Sequence, residues 1–123
     1  MLANPYRTYL HTQIETASGL KLIIMLYNAA IKFTKLAQLS LAENKLEQSH
    51  INNIKTQDIL FELMNSLDPN QGEMSDSLYL LYDYMQQRLV TANLKKEAAP
   101  LAEVESLLVD LRDTWLQAFN LTQ

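Results

Sequence analysis

The chain has 123 residues, 48% of them hydrophobic, and carries a formal charge of −4 from 10 basic and 14 acidic residues. This length fits one domain with a core of its own, and only 2 Gly and 3 Pro favour a few long helices over a sheet. The absence of cysteine excludes disulfides, thiol catalysis and cysteine zinc sites, and the scattered basic residues form no stripe suited to nucleic-acid phosphates.

The first 17 residues are expected to form an N-terminal arm, apart from a single domain that spans 18–123. Four apolar side chains of the arm approximate helical spacing over two or three turns: Tyr6, Tyr9, Leu10 and Ile14. A helix this short is marginally stable alone and needs a surface to dock on. We therefore expect the arm to act as a lid that covers apolar surface with these four side chains.

The first long helix is predicted over about 19–42, with Ser18 as its N-cap. Up to residue 33 its polar side chains, Lys21, Asn28 and Lys32, fall into one narrow stripe, which Lys35 continues. The remaining apolar arc is roughly 260° wide, whereas a helix on the outside of a small domain needs little more than about 100°. This surplus predicts that the helix contacts more than its own bundle.

Three more helices are predicted, over about 45–67, 76–96 and 100–121. The segment Asp68-Pro69-Asn70-Gln71-Gly72 is the strongest turn signal, Ser75 is the expected cap of the third helix, and Pro100 suits the first turn of the fourth. Short links place successive helices antiparallel. The predicted fold is all-α, an antiparallel up-down four-helix bundle with a short N-terminal helical arm.

Each of these helices has an expected apolar face. On the second helix the face consists of Leu46, Ile54, Leu60, Phe61, Leu63, Met64 and Leu67, with Ile51 off it. On the third helix it consists of Leu78, Leu81, Tyr82, Met85, Leu89 and Ala92. On the fourth helix it consists of Val104, Leu107, Leu108, Leu111, Trp115, Ala118 and Phe119.

The residue pattern does not support catalysis or metal binding. Glu47 and His50 spell Glu-x-x-His, but a di-iron bundle needs this motif twice, and the other histidine, His11, lies in the arm. A Ser-His-acid site would depend on one of these histidines alone, and Gly19 and Gly72 are isolated rather than part of a phosphate loop. We expect no cofactor, no metal and no enzymatic activity.

The N-terminal residues lack the basic-then-apolar pattern of a signal peptide. The longest uninterrupted apolar run, 22–26, has five residues, far below the roughly 20 that a membrane span needs. We therefore expect a soluble cytoplasmic protein without a membrane span.

Apolar side chains also lie away from the expected core faces. Leu80 and Tyr84 are one turn apart on the back of the third helix, near Tyr79 and Val90, and Val109 and Leu116 form a secondary strip on the fourth. Large apolar patches on soluble proteins usually mark interaction sites. Two explanations stay open: binding of a foreign chain, or a self-assembling structural bundle that forms a homodimer through the same surface.

Short motifs run in order along nearly the whole chain. They are Asn4-Pro5-Tyr6, Thr16-Ala17-Ser18, Met25-Leu26-Tyr27, Ile31-Lys32-Phe33, Leu67-Asp68, Leu81-Tyr82-Asp83-Tyr84, Ala92-Asn93 and Leu111-Arg112-Asp113-Thr114-Trp115. This set resembles the FliS family of flagellar export chaperones. The resemblance implies a helical bundle in the cytosol that binds the disordered C-terminal segment of flagellin, prevents its premature polymerisation and keeps it competent for type III secretion.

The resemblance also suggests docking at the flagellar export gate and contact with other flagellar regulators. Client contact is expected at five apolar side chains of the first and third helices: Ile23, Tyr27, Ile31, Leu80 and Tyr84. The lid formed by the arm would leave when the client binds.

Overall fold

The computed structural model describes residues 17–118, which form four long helices and no strand. The helices are α1 (Ala17–Ala42), α2 (Leu46–Asn65), α3 (Glu73–Lys95) and α4 (Ala99–Ala118), with a 3₁₀ helix, Pro69–Gln71, before α3. The predicted all-α fold is confirmed. The expected boundary between arm and domain lies at residue 17, the first residue that the structure describes. Phe119 of the predicted core lies outside the described residues.

The four helices form a bundle in which α1 and α3 each pack against both α2 and α4. Between α1 and α4, Arg112 Nη1 donates to Asn28 Oδ1 at 3.0 Å and Gln38 Nε2 donates to Glu105 Oε1 at 2.8 Å. Residue numbers thus rise along one helix as they fall along the other. The two helices are antiparallel, as the up-down arrangement requires.

Two aromatic side chains meet across the diagonal of the bundle. The hydroxyl groups of Tyr27 on α1 and Tyr82 on α3 lie 2.5 Å apart, and both rings are fully buried. The Tyr27 ring also packs on Trp115 of α4, with centroids 6.0 Å apart and planes tilted by 52°. Three helices therefore share one aromatic contact, which satisfies buried hydroxyls while filling the core.

The predicted core faces of α3 and α4 are confirmed. Buried residues from these faces are Leu78, Tyr82, Met85, Leu89, Ala92, Val104, Leu108, Leu111, Trp115 and Ala118. Leu81 and Leu107 are half-buried and pack against this cluster.

The predicted apolar face of α2 is right for Leu60 and Leu63, which are buried in the core, and wrong for its exposed members. Its buried residues are Ser49, Asn52, Asn53, Thr56, Leu60 and Leu63. Leu46, Ile54 and Phe61 are exposed, whereas Met64 and Leu67 are half-buried; Ile51 is exposed as expected. The predicted set spans two sides of a helix at 100° per residue, and only the side with Leu60 and Leu63 points inward.

Small side chains from α1 explain which side of α2 is buried. Ala30, Thr34 and Ala37 are completely buried on α1, and Ser49 Oγ of α2 donates to the Ala37 carbonyl oxygen at 3.0 Å. Small residues on both helices permit a close approach of their backbones. Thr34 and Thr56 satisfy their hydroxyls by donating to carbonyls of their own helices.

Two predicted helix caps lie inside helices instead. Ser18 is already within α1, and Ser75 is buried within α3, which begins at Glu73. The Asp68 carboxylate accepts from the backbone N–H of Asn70 at 2.9 Å and so caps the 3₁₀ helix. Gly72 has a φ of +66°, a left-handed conformation that lets the chain enter α3 three residues earlier than predicted.

By length and composition alone, residues Gly19–Ala42 of α1 would be able to cross a membrane. The expectation of no membrane span rests on the short uninterrupted apolar run, whereas α1 is apolar over most of its length and its only charged residues are three lysines. In the bundle its inner face, which includes Leu20, Ile23 and Tyr27, belongs to the shared core. We interpret α1 as a core helix of the bundle.

The buried polar side chains of α2 lead to a prediction about the stability of the fold. Thr56 Oγ1 bonds only within α2, whereas Asn53 Nδ2 reaches across to the Leu89 carbonyl oxygen of α3 at 3.0 Å. Thr56→Val should change the free energy of unfolding by less than about 1 kcal/mol, and Asn53→Ala should lower it by about 2 kcal/mol. Urea unfolding of the two variants measures both values. Equal losses would contradict the role given to the bond between α2 and α3.

Candidate functional site

Three of the five expected contact residues lie in the core. Ile23, Tyr27 and Ile31 are 7%, 0% and 5% exposed, because the side of α1 opposite its lysines faces α2, α3 and α4. They do not lie on the surface of the bundle, and their expected contact with the client stays a prediction. A partner could reach these three side chains only if the bundle opened.

The other two expected residues, Leu80 and Tyr84, are on the surface of α3. Leu80 is 67% exposed and Tyr84 is 42% exposed, one turn apart along the helix. The Tyr84 hydroxyl donates to Glu103 Oε2 at 2.5 Å, and Arg88 Nε donates to Glu103 Oε1 at 2.6 Å. These bonds join α3 to α4 and hold the Tyr84 side chain in a defined orientation beside Leu80.

The charges in this cluster are matched. Hydrogen bonds from Tyr84 and Arg88 lower the pKa of Glu103 below its ordinary value. The hydrogen bond to Glu103, with some loss of hydration, raises the pKa of Tyr84. The cluster therefore consists of an ionised carboxylate, a guanidinium and a neutral phenol, and Leu80 stands beside it as an uncovered apolar side chain.

Two hydrogen bonds fix how α2 and α3 lie side by side. Asn53 Nδ2 donates to Leu89 O at 3.0 Å, and Gln86 Nε2 donates to Gln57 O at 2.8 Å. Residue numbers rise along α2 as they fall along α3, so these helices are antiparallel as well. Side chains one or two turns from these residues on the same helix faces flank the same seam.

A strip of apolar side chains flanks this seam on its solvent side. We call it the α2–α3 strip; it consists of Ile54, Phe61, Tyr79 and Val90. Ile54 and Phe61 lie three residues before and four after Gln57, and Tyr79 and Val90 lie seven before and four after Gln86. All four are at least 36% exposed, and Phe61 reaches 59%.

Sequence reasoning placed Ile54 and Phe61 in the core and so missed half of the α2–α3 strip. A signal was present, because Ser49, Asn52 and Thr56 form a stripe of small polar residues at helical spacing on a different side from Phe61. Small residues at that spacing are compatible with a buried helix contact. The apolar residues alone predict a face rotated toward Phe61, away from the small polar residues that are buried.

Two further sequence predictions concern apolar side chains outside the α2–α3 strip. The secondary strip on α4 is covered, since Leu116 is buried and Val109 is half-buried. The expected lid residues lie outside the residues that the structure describes: Tyr6, Tyr9, Leu10 and Ile14.

No group of three or more potential metal ligands occurs within residues 17–118. The His50 ring nitrogen Nδ1 is instead paired with the Asn93 amide of α3 at 2.7 Å, which ties another part of α2 to α3.

Comparison with known proteins gives a consistent result. Residues 2–122 match the family described as flagellar protein FliS. The chain is 42% identical over 119 residues to the flagellar secretion chaperone FliS of Bacillus subtilis (strain 168), covering 97% of this chain and 89% of that one. It is 32% identical over 121 residues to the flagellar secretion chaperone FliS of Salmonella typhimurium, covering 94% and 90%. A crystal structure of a flagellar chaperone from bacteria has a TM-score of 0.78 at 25% identity, covering 94% of both chains.

The Glu103 cluster predicts a pH-dependent contribution to stability. Because the pKa of Glu103 is lowered on folding, its contribution is complete above the ordinary glutamate pKa and is lost as pH falls through the lowered value. Glu103→Gln should therefore be less stable than the parent at neutral pH, and the difference should shrink on acidification. Urea unfolding at several pH values tests this, with Glu62→Gln, an exposed glutamate of α2, as the matched control. A difference that stays constant down to acidic pH would contradict the assignment.

Proposed function

Because this chain belongs to the FliS family of flagellar secretion chaperones, we propose that its client is the disordered C-terminal segment of flagellin. Like the other members of its family, the chain is a chaperone of flagellar export, and it is not an enzyme. Binding would prevent premature polymerisation in the cytosol and keep the client in a form that type III secretion accepts.

Exposed apolar surface is the observation that supports this proposal. Twelve large apolar side chains within residues 17–118 are exposed, and they lie on α1, α2 and α3. A compact partner would cover one face of a bundle, whereas an extended segment can follow several faces in succession. Leu80, Tyr84 and the α2–α3 strip are the contacts we propose for such a segment.

The free energy available from these contacts is adequate for a disordered client. Folding on binding costs several kcal/mol, and burial of 1,000 Å² of apolar surface supplies roughly 25 kcal/mol before the costs of association are subtracted. Burial of this kind needs no nucleotide, so release would come from competition at the export apparatus. The export gate and other flagellar regulators are the further partners that we propose.

Acidic substitutions on α3 test the contact surface. Leu80→Asp and Tyr84→Asp should each weaken binding of a flagellin C-terminal peptide by about tenfold or more, because an apolar contact is lost and a charge is desolvated. Isothermal titration calorimetry measures the affinity, with Ser106→Asp on the exposed side of α4 as the control of equal charge.

Two outcomes would contradict the proposal. Unchanged affinity in folded Leu80→Asp and Tyr84→Asp variants would remove this part of α3 from the binding surface. A free chain that sediments as a tight dimer and excludes the peptide would instead favour the alternative, a structural homodimer.

We also propose that Tyr6, Tyr9, Leu10 and Ile14 cover part of the apolar surface until the client binds. Deletion of residues 1–14 should then speed association of the flagellin peptide, because no lid has to leave first. Stopped-flow anisotropy measures the association rate. As a control, the full-length chain with its four lid residues replaced by serine distinguishes loss of the lid from shortening of the chain. Equal association rates in all three proteins would argue against a lid.

A further inference from the structure

The solvent side of α1 is cationic, in contrast to the rest of the protein. α1 contains Lys21, Lys32 and Lys35 and no acidic residue, although the whole chain carries a charge of −4. All three lysines are exposed. Leu39 lies four positions after Lys35 on the same side of the helix. This side of α1 therefore carries apolar residues as well as positive charge.

Three large apolar side chains share this side of α1 with the lysines. Leu22, Met25 and Leu39 are 52%, 64% and 55% exposed. At 100° per residue, these residues and the three lysines fall within one side of the helix. The surface extends from residue 22 to residue 39, a length of about 26 Å at 1.5 Å per residue.

An aromatic ring next to this side is covered by two ammonium groups. Lys32 Nζ lies 5.8 Å from the centroid of the half-buried Phe33 ring, and Lys55 Nζ of α2 lies 5.2 Å from it. Such contacts stabilise a cation only modestly where solvent is present. The lysines can therefore leave the ring for a carboxylate at little cost, and the ring then becomes available to an apolar side chain.

Most of this positive charge is not neutralised within the described part of the chain. Lys35 Nζ lies 3.9 Å from Glu105 Oε2 of α4 and is still 62% exposed. Lys21, Lys32 and Lys55 form no ion pair with any residue of 17–118. A surface that combines unpaired lysines with exposed leucine and methionine is complementary to a partner that combines carboxylates with apolar side chains.

We propose that this side of α1, together with Lys55 and Phe33, docks an acidic amphipathic helix of a second protein, separately from the flagellin segment. A helix of about 18 residues matches its length, and a helix about 10 Å wide fits along the lysine-lined side. An anionic membrane is less well matched, because a flat surface would also meet the exposed Asp58 and Glu62 of α2.

A designed peptide tests the surface without knowledge of the natural partner. The probe is a helix of about 18 residues with leucine and glutamate at i, i+3 and i+4 spacing, and its twin carries lysine in place of glutamate. The full-length chain, labelled with ¹³C in its methionine methyl groups, should show a shift at the exposed Met25 on addition of the acidic peptide. Met85, which is fully buried on α3, should stay unchanged.

Charge reversal gives the second measurement. Lys32→Glu combined with Lys55→Glu should weaken binding of the acidic peptide about tenfold, and Lys95→Glu at the end of α3 should leave it unchanged. A flagellin C-terminal peptide should keep its affinity in all of these variants. The milder pair, Lys32→Gln with Lys55→Gln, should show a smaller loss and keeps the test valid if charge reversal disturbs folding.

Several results would overturn this proposal. These are an unmoved Met25 signal, equal weakening by Lys95→Glu, and equal binding of the lysine twin. Binding to phosphatidylglycerol vesicles without binding of the peptide would assign the surface to a membrane, and self-association lost in Lys32→Glu would assign it to a second copy. Loss of flagellin peptide affinity in the Lys32 and Lys55 variants would show that the client itself occupies the surface.

Discussion

The close contact between α1 and α2 is the constraint on which the rest of this bundle depends. Ala30 and Ala37 of α1 are completely buried, and the Ala37 carbonyl oxygen accepts a hydrogen bond from Ser49 of α2, so small residues line the contact there. The apolar residues of α2 that would fill an ordinary core, such as Phe61, are therefore on the outside. The exposure of Phe61 is thus tied to how α2 packs on α1.

The four helices contribute unequally to the exposed apolar surface. The described part of α4 follows the usual rule for a bundle, with its apolar residues inside and a charged outer side. Its Glu103 and Glu105 reach back to Tyr84, Arg88 and Gln38 and hold the neighbouring helices in place. α1, α2 and α3 combine a buried side with exposed apolar residues, so all four helices supply the core and these three supply the large exposed apolar side chains of residues 17–118.

Helix number, topology and the cores of α3 and α4 could be predicted because their apolar residues repeat at regular three- and four-residue intervals. The faces of α2 could not, because its buried side is polar and is stabilised by contacts such as Asn53 to Leu89, which join residues far apart in the chain. The width of the apolar arc on α1 correctly indicated surplus surface. It could not show which part of that arc faces inward, since the positions of three neighbouring helices decide this, and so Ile23 was placed outside.

The aromatic contact at the centre of the bundle has a practical consequence. Trp115 is the single tryptophan of the chain, is 3% exposed and lies against the Tyr27 ring. Its indole emission therefore reports on the interior of the bundle. A ligand that binds to the outside of the bundle leaves the indole shielded from water. A ligand that reaches Ile23 or Ile31 must bring water, or itself, next to the ring. Tryptophan fluorescence therefore distinguishes the two modes of binding.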